Sequence, residues 1–576
     1  MRFLSCLIVL LGMDCLHLAA SDLKDVTLKL VETSDVHGYY YPYDFIRRKP
    51  LKGSLAHVSS YVKELRATCG DNLILMDNGD ILQGQPTAYY YNYIDTVSHH
   101  VNAEMLDYMR YDVGNMGNHD VEAGHAVYDR WVGECGFPVL GANIIDVKSG
   151  QPYLPPYQMF ERDGVSVAVL GMITPSIPSW LPETLWSGLR FEDMEQCARK
   201  WVDIIREKEN PDVLVGLFHA GPEGNRLDGV VENASALVAE NVPGFDVVFM
   251  GHDHVRMCGK IVNVEGDSVL LVNPANMART VSEVTVDVKR DADGKVIGKS
   301  VSGRLVSMDA YPVDEDFMNA FRDQYETVSR FVSRKIGRID ETVSSKEAFF
   351  GPSAFVDLIH QLQLEITGAD ISFCAPLSAT AEIKEGDIYV SDMFNLYKYE
   401  NLLYVMKLTG REIKGFLEMS YALWTNRMFS PNDHLILLNE KDDGFGRIKN
   451  PSFNFDSAAG IIYTVDVTKP EGEKISIKSM ADGSPFDLEA VYKVAVNSYR
   501  GNGGGDLLTK GAGIPRKELA ERIVFSTDKD LRYYLMKRIE AVKELRPKAL
   551  DQWKFIPEEW TVPAAERDYG LLFGDK

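Results

Sequence analysis

The chain has 576 residues, of which 45% are hydrophobic and 25% charged, and a formal net charge of −23. That length predicts two domains, each with its own core, and the composition excludes both a disordered polymer and a membrane-embedded bundle. So acidic a chain repels nucleic-acid polymers and anionic lipid, which leaves small ligands held through cations as the compatible partners.

Residues 1–20 read as a signal peptide: Arg2, the mostly apolar run Phe3 to Leu11, then the small residues Ala19, Ala20 and Ser21. The expected product is exported, periplasmic or secreted. Cys15 follows Gly12, Met13 and Asp14, which is not the usual setting for a lipid anchor. No later segment approaches the ~20 apolar residues of a membrane helix, so no stable membrane span is expected. Beyond the leader, Cys69, Cys135, Cys197, Cys258 and Cys374 are widely scattered, a spacing that suits neither a disulfide framework nor a thiolate metal site.

From residue 21 to about 310 the chain alternates short β-branched runs with longer amphipathic stretches. The runs are Val26 to Val31, Leu73 to Met76, Val165 to Gly171, Val213 to Leu217 and Val247 to Met250, with Val269 to Val272 and Val281 to Val288 completing the sheet structure. This rhythm predicts an α/β catalytic domain of buried strands and covering helices. A charged amphipathic stretch, Asp314 to Lys335, then predicts one long linker helix over about 311–336. The second domain, 337–547, reads as mixed α+β. It has a helix over Ser353 to Thr367 and strands at Tyr404 to Leu408, Ile461 to Val467 and Tyr492 to Asn497. Residues 548–576 read as a docked extension.

Most strand-like runs of the first domain end in a polar cluster. Five clusters stand out: Asp35-Val-His37, Gly79-Asp80, Gly117-Asn118-His119-Asp120, His219, and Gly251-His252-Asp-His254. Loops at the carboxyl ends of α/β strands converge on one crevice, so the five can meet. Any single histidine after a strand is more often a loop or capping residue than a ligand. Here, however, five of the twelve histidines fall in these clusters, with Asp35, Asp80 and Asn118 beside them. Imidazole, carboxylate and amide donors suit zinc, manganese or iron, whereas calcium takes oxygen ligands only. Asp35 and His37 share a side of an extended segment and can grip one ion, and Asp80 has two oxygens with which to bridge two ions.

A pair of divalent ions can activate water, polarise a phosphoryl oxygen and support an in-line displacement. The leaving alkoxide still needs a proton, a role that suits His119 beside Asn118. Asp120 and Glu122 are both candidates to orient its ring, and Asp120 is equally a candidate helix N-cap.

These five clusters resemble the metallophosphoesterase pattern, and Val26 to about Leu508 resembles the bacterial 5′-nucleotidase and 2′,3′-cyclic-nucleotide 2′-phosphodiesterase family. The resemblance implies a metallophosphoesterase β-sandwich flanked by helices in four layers, joined by a helix to the mixed C-terminal domain. It implies that Asp35, His37, Asp80 and His254 hold one metal and that Asp80, Asn118, His219 and His252 hold the other, with His119 as catalytic acid. In 5′-nucleotidases an Asp three residues after that histidine completes a dyad. Glu122 stands there in this chain.

The motif Asn497-Ser-Tyr499-Arg-Gly-Asn502-Gly-Gly-Gly-Asp506 resembles the family's nucleotide-binding turn, and Ser452-Phe453-Asn-Phe-Asp456 its partner loop. The resemblance gives Phe453 and Tyr499 a base sandwich and Asp506 the ribose, with Asn502 in the same turn. Typical 5′-nucleotidases carry Gly-Gly-x-x-Arg, whose arginine binds the terminal phosphate. The corresponding stretch, Cys374 to Gly386, has no arginine. A cyclic diester carries one negative charge and needs a guanidinium less than a dianionic monoester does. Glu32-Thr-Ser-Asp35, Gly141-Ala-Asn143 and Glu232-Asn-Ala-Ser also resemble the cyclic-phosphodiesterase branch. The expected substrate is thus a 2′,3′-cyclic nucleotide or a 3′-monophosphate. The alternatives are a 5′-nucleotidase, a nucleotide-sugar hydrolase, or a non-catalytic nucleotide-binding surface protein. No lost ligand position favours the last.

Overall fold

Parallel strands buried on both faces must be apolar throughout, and the first-half runs obey this: Leu73–Asp77, Val213–His219 and Val247–Met250 carry no exposed residue. They assemble into two six-stranded sheets. The first has the order Val296–Ser307, Thr280–Arg290, Val26–Thr33, Leu73–Asp77, Val113–Asn115, Val139–Leu140. The second runs Arg256–Val262, Ser268–Pro274, Val247–Met250, Val213–His219, Val165–Ile173, Tyr157–Arg162. The computed structural model describes residues 25–224, 226–227, 229–291, 293–439 and 447–574, so the expected signal peptide lies outside the described residues. Among the described residues, no helix is long and apolar enough to cross a membrane.

The sheets face each other across one apolar layer, Leu28, Leu30, Ile74, Met76 and Val113 meeting Val167, Val169, Val215, Leu217 and Phe249. Their outer faces are covered by helices, including Leu55–Cys69 and Val101–Met109 on one side and Met194–Lys208 and Ser235–Asn241 on the other. The result is the four-layer sandwich. Four consecutive strands of the first sheet, Val26–Thr33 to the edge strand Val139–Leu140, run parallel, as do the four central strands of the second. All five polar clusters therefore leave carboxyl ends of parallel strands, three from one sheet and two from the other.

The connector departs from the single long helix. It forms two, Glu315–Ala320 and Arg322–Val332, broken at Phe321 with φ −111° and ψ 25°. Phe321 is 5% exposed and packs edge-on to Tyr108 and against Phe317. Burying that ring outweighs helix continuity, since a large aromatic contributes roughly 1.5–3 kcal/mol on burial.

The second half centres on a five-stranded sheet, Ser457–Ala459, Ile371–Cys374, Val491–Asn497, Leu403–Thr409, Ile523–Ser526. The helices Ala354–Thr367 and Gly410–Trp424 begin at Ser353 and Thr409, whose hydroxyls accept main-chain N–H bonds as N-caps. Trp553–Ile556 pairs parallel with Ile461–Asp466, so the last residues supply a sheet strand before the helix Glu558–Phe573. The halves touch through Tyr89, whose hydroxyl donates to Asp530 Oδ2 at 3.0 Å and whose ring lies beside Phe394 and the Arg532 guanidinium.

Candidate functional site

The strand ends bring seven side chains from five loops into one pocket. His254 Nε2 lies 3.1 Å from Asp35 Oδ1 and 3.0 Å from His37 Nε2. His219 Nε2 lies 3.2 Å from Asp80 Oδ2 and 3.1 Å from Asn118 Oδ1, and His252 Nδ1 lies 2.7 Å from the same Asn118 oxygen. Two groups could hold a metal ion, Asp35-His37-Asp80-His254 and Asp80-His219-His252, and Asp80 belongs to both.

The donor set fits a cationic occupant. Asp80 Oδ2 is buried and faces His219 Nε2 at 3.2 Å without a well-aligned hydrogen bond, an expensive condition for a carboxylate oxygen unless a cation faces it. The histidine tautomers point the same way. The Asn78 carbonyl, 2.6 Å from His219 Nδ1, can only accept, so Nδ1 carries the proton and Nε2 faces Asp80. Gln83 Oε1 lies 3.0 Å from His37 Nδ1 and leaves His37 Nε2 facing Asp35 and Asp80. Burial and the neighbouring His254 pull His37 down to about 3, so it offers a lone pair rather than a proton. Burial opposes charge on Asp35 and Asp80, but a protonated His219 outweighs it and holds both carboxyls below their ordinary range, so the site favours positive charge beside them.

The backbone at these positions is bent. Asp35, His37, Asp80, His252 and His254 all have positive φ, between 50° and 72°, at a cost of roughly 1–3 kcal/mol each. Main-chain bonds from Asp35 N to Gly79 O (2.9 Å) and from His37 N to Asp80 O (3.0 Å) lock the turns in place. Gly79, at φ +85°, lies back to back with Gly117, and a Cβ on either would collide with the other turn.

His119 sits on the short helix Asn118–Glu122. Its Nδ1 lies 2.5 Å from Glu122 Oε2, the i,i+3 neighbour on the same face. Burial works against the imidazolium, yet Asp80 and Glu122 outweigh it and raise His119 to about 9. Glu400 of the second domain adds to that field. Asp120 is engaged elsewhere, because its carboxylate accepts from Gly117 N, Asp80 N, Ile81 N and Leu82 N at 2.8–2.9 Å. It clasps the Asp80 turn to the Asn118 turn, closer to the capping role than to orienting the ring.

The aromatic pair of the second domain comes together differently from a preformed sandwich. Phe453 and Tyr499 stand edge to face, centroids 6.2 Å apart at 88°. Edge-to-face is one of the arrangements that the ring quadrupoles favour. Asn502 Nδ2 donates to Ser498 O at 2.7 Å. Asp506 lies 2.7 Å from Lys510 Nζ. Both thus brace the turn, which Arg516 joins to the first domain by donating to Ser179 O and Asn502 O.

Several site residues escaped sequence reasoning: Asn78 and Gln83 behind the imidazoles, Trp180 stacked on His252 (5.5 Å, 27°), and Arg500 behind the aromatic loops. Asn78 and Gln83 flank Gly79-Asp80 in the chain, a proximity that could have flagged them. Arg500 adjoins Tyr499 in the turn motif and shares that proximity, whereas Trp180 carried no such signal.

Residues 28–256 match the family model for calcineurin-like phosphoesterases, and residues 335–510 match that for the 5′-nucleotidase C-terminal domain. The chain is 26% identical to a 2′,3′-cyclic-nucleotide 2′-phosphodiesterase/3′-nucleotidase of Salmonella typhimurium, over 94% of this chain and 90% of that protein. It is 25% identical to a trifunctional nucleotide phosphoesterase protein of Bacillus subtilis over 95% of this chain, and spans 40% of that longer protein. A Staphylococcus aureus crystal structure assigned as a 5′-nucleotidase superposes with a TM-score of 0.76 at 22% identity, covering 92% of this chain and 100% of that one. At that identity the likeness concerns the fold.

Proposed function

The chain belongs to the phosphoester hydrolases in which a calcineurin-like phosphoesterase domain precedes a 5′-nucleotidase C-terminal domain, and from that premise we propose that it opens 2′,3′-cyclic nucleotides and dephosphorylates the 3′-monophosphates formed. The observation that carries the reading is the convergence of Asp35, His37, Asp80, Asn118, His219, His252 and His254 around the buried Oδ2 of Asp80. The choice of ester is supported by the arginine-free stretch Cys374 to Gly386 and by the near full-length match to a relative of that name. Export rests on residues 1–20, and the domain limits near 310 and 336 rest on the broken connector.

Asp35, His37, Asp80 and His254 would hold one divalent cation and Asp80, Asn118, His219 and His252 a second, of zinc, manganese or iron. Such cations polarise the phosphoryl oxygen and lower the pKa of a water. The chain's own groups do the rest. Water gives up a proton to solvent and its oxygen bonds to phosphorus as the bond from phosphorus to O2′ breaks; the departing O2′ takes a proton from His119 Nε2, which solvent then replaces. Glu122, fixed on Nδ1, stabilises the imidazolium before that transfer and the ring orientation after it. Phe453 and Tyr499 bind the base, and Asn502 and Asp506 shape the turn that meets the ribose.

Steady-state kinetics with Mn²⁺ or Zn²⁺ test the reading. Cyclic 2′,3′-AMP is expected to turn over with a higher kcat/KM than 5′-AMP, and the reverse order would overturn the substrate assignment.

A further inference from the structure

Among the seven converging donors, His252 is held by contacts that none of the others has. Its Nδ1 faces Asn118 Oδ1 at 2.7 Å, and its Nε2 lies 3.1 Å from Glu232 Oε1. Trp180 stacks on one face of the ring. Glu232 comes from the segment between Val230–Val231 and the helix Ser235–Asn241.

That segment is anchored independently of the Glu232 carboxylate. Thr174 Oγ1 donates to Glu232 O at 2.9 Å, Gly221 N donates to Asn233 Oδ1 at 2.6 Å, and Ser235 Oγ donates to Ala220 O at 2.8 Å. These bonds tie residues 232–235 to the ends of Val165–Ile173 and Val213–His219, the latter strand ending in His219 itself. The main chain and the Asn233 and Ser235 side chains do the anchoring, so the carboxylate of Glu232 is free to serve His252.

We propose that Glu232 is the positioning residue of His252: its carboxylate accepts the Nε2 proton, which fixes the tautomer and turns the Nδ1 lone pair toward the metal position shared with Asn118, Asp80 and His219. A carboxylate behind a ligand imidazole also raises the basicity of the coordinating nitrogen, and loss of such a partner typically weakens metal binding by about 10- to 100-fold. The inference rests on the dimetal reading above, and it assigns the effect to one ion of the two.

Mn²⁺ titration of the full chain against a competing chelator, with circular dichroism as a check on folding, separates the possibilities. Wild type is expected to bind two ions. Glu232→Ala is expected to keep one at wild-type affinity and bind the other about 10- to 100-fold more weakly, with kcat recovering at high Mn²⁺. Glu232→Gln keeps the shape and an acceptor oxygen but loses the charge, so it is expected to fall in between, and it provides the same readout if the alanine variant misfolds. Two ions bound at wild-type affinity in both variants would overturn the role of Glu232 alone. A wild-type chain that takes up no Mn²⁺ would overturn the dimetal reading and this inference with it.

Discussion

The guanidinium of Arg500 meets the carboxylate of Asp456 at 2.6 Å where both side chains are almost wholly shielded from water, 1% and 2% exposed. The same guanidinium donates to Phe453 O at 2.7 Å and to Asn454 Oδ1 at 3.1 Å. Arg500 adjoins Tyr499 in sequence, so one buried cation sets the distance between the two aromatic loops.

Replacing Arg500 by Met strands Asp456 as a buried charge, which costs about 3–5 kcal/mol when one partner of such a pair is lost. Urea unfolding should show that loss. Arg500→Lys keeps charge but not the planar fork that reaches four acceptors, Gly504 O among them, so it should unfold less readily than the Met variant yet raise KM for nucleotides. Turnover of a small aryl phosphodiester, which has no base to stack, should change little. Equal losses on both substrates would show that the pair supports the catalytic domain rather than the aromatic loops.

His119→Ala removes the proposed proton donor while leaving every candidate metal-binding side chain in place. Its kcat for cyclic 2′,3′-AMP should fall by about 10²- to 10⁴-fold, with metal content unchanged by elemental analysis. Glu122→Gln keeps the shape of the partner 2.5 Å from Nδ1 but not its charge, and should lose less. Emptied metal sites in His119→Ala would contradict its role as acid.

Much of this arrangement is legible in the sequence, for physical reasons. A strand buried on both faces must be apolar, so the place where polarity resumes marks its carboxyl end, and Asp35, Asp80, His219 and His252 all stand there. What the pattern does not encode is backbone geometry inside the turns. Residue chemistry alone does not separate Glu122 from Asp120 as partner of His119; the family's dyad spacing points to Glu122, and the short helix places i+3, not i+1, on the same face. Nor does the charged stretch after Asp314 reveal that burial of Phe321 would break its helix. Trp180 reaches His252 from 72 residues away, beyond any local signal.

His360 gives the second domain a pH-dependent stability unrelated to the candidate metal site. It is fully buried between Ser372 Oγ (2.9 Å) and Ser457 Oγ (3.1 Å), and burial lowers it from 6.5 to about 3. Because the folded pKa is depressed, the unfolded chain binds a proton below pH 6.5 that the folded chain refuses. Stability from this group is intact above 6.5 and declines as the pH falls toward 3, by at most ~1.4 kcal/mol per unit. Denaturant unfolding at pH 7.5 and 5.5 should therefore show a drop in wild type about 1 kcal/mol larger than in His360→Gln. Identical drops would mean that the imidazole is not held neutral.

Gly79 tests how tightly the two ligand turns are pressed together. At φ +85° it occupies backbone space that side chains seldom enter, and a Cβ there would land on the Gly117 main chain. Relief requires the Asp80 and Asn118 turns to part, although the Asp120 carboxylate binds both through four N–H groups. Gly79→Ala should therefore cost more than the ~1–2 kcal/mol of a positive-φ alanine alone. It should also weaken the second cation more than the first, because Asn118 serves only that one. Thermal unfolding with metal titration measures both effects. A variant that unfolds like wild type and binds two ions equally well would show that the turns have room to spare.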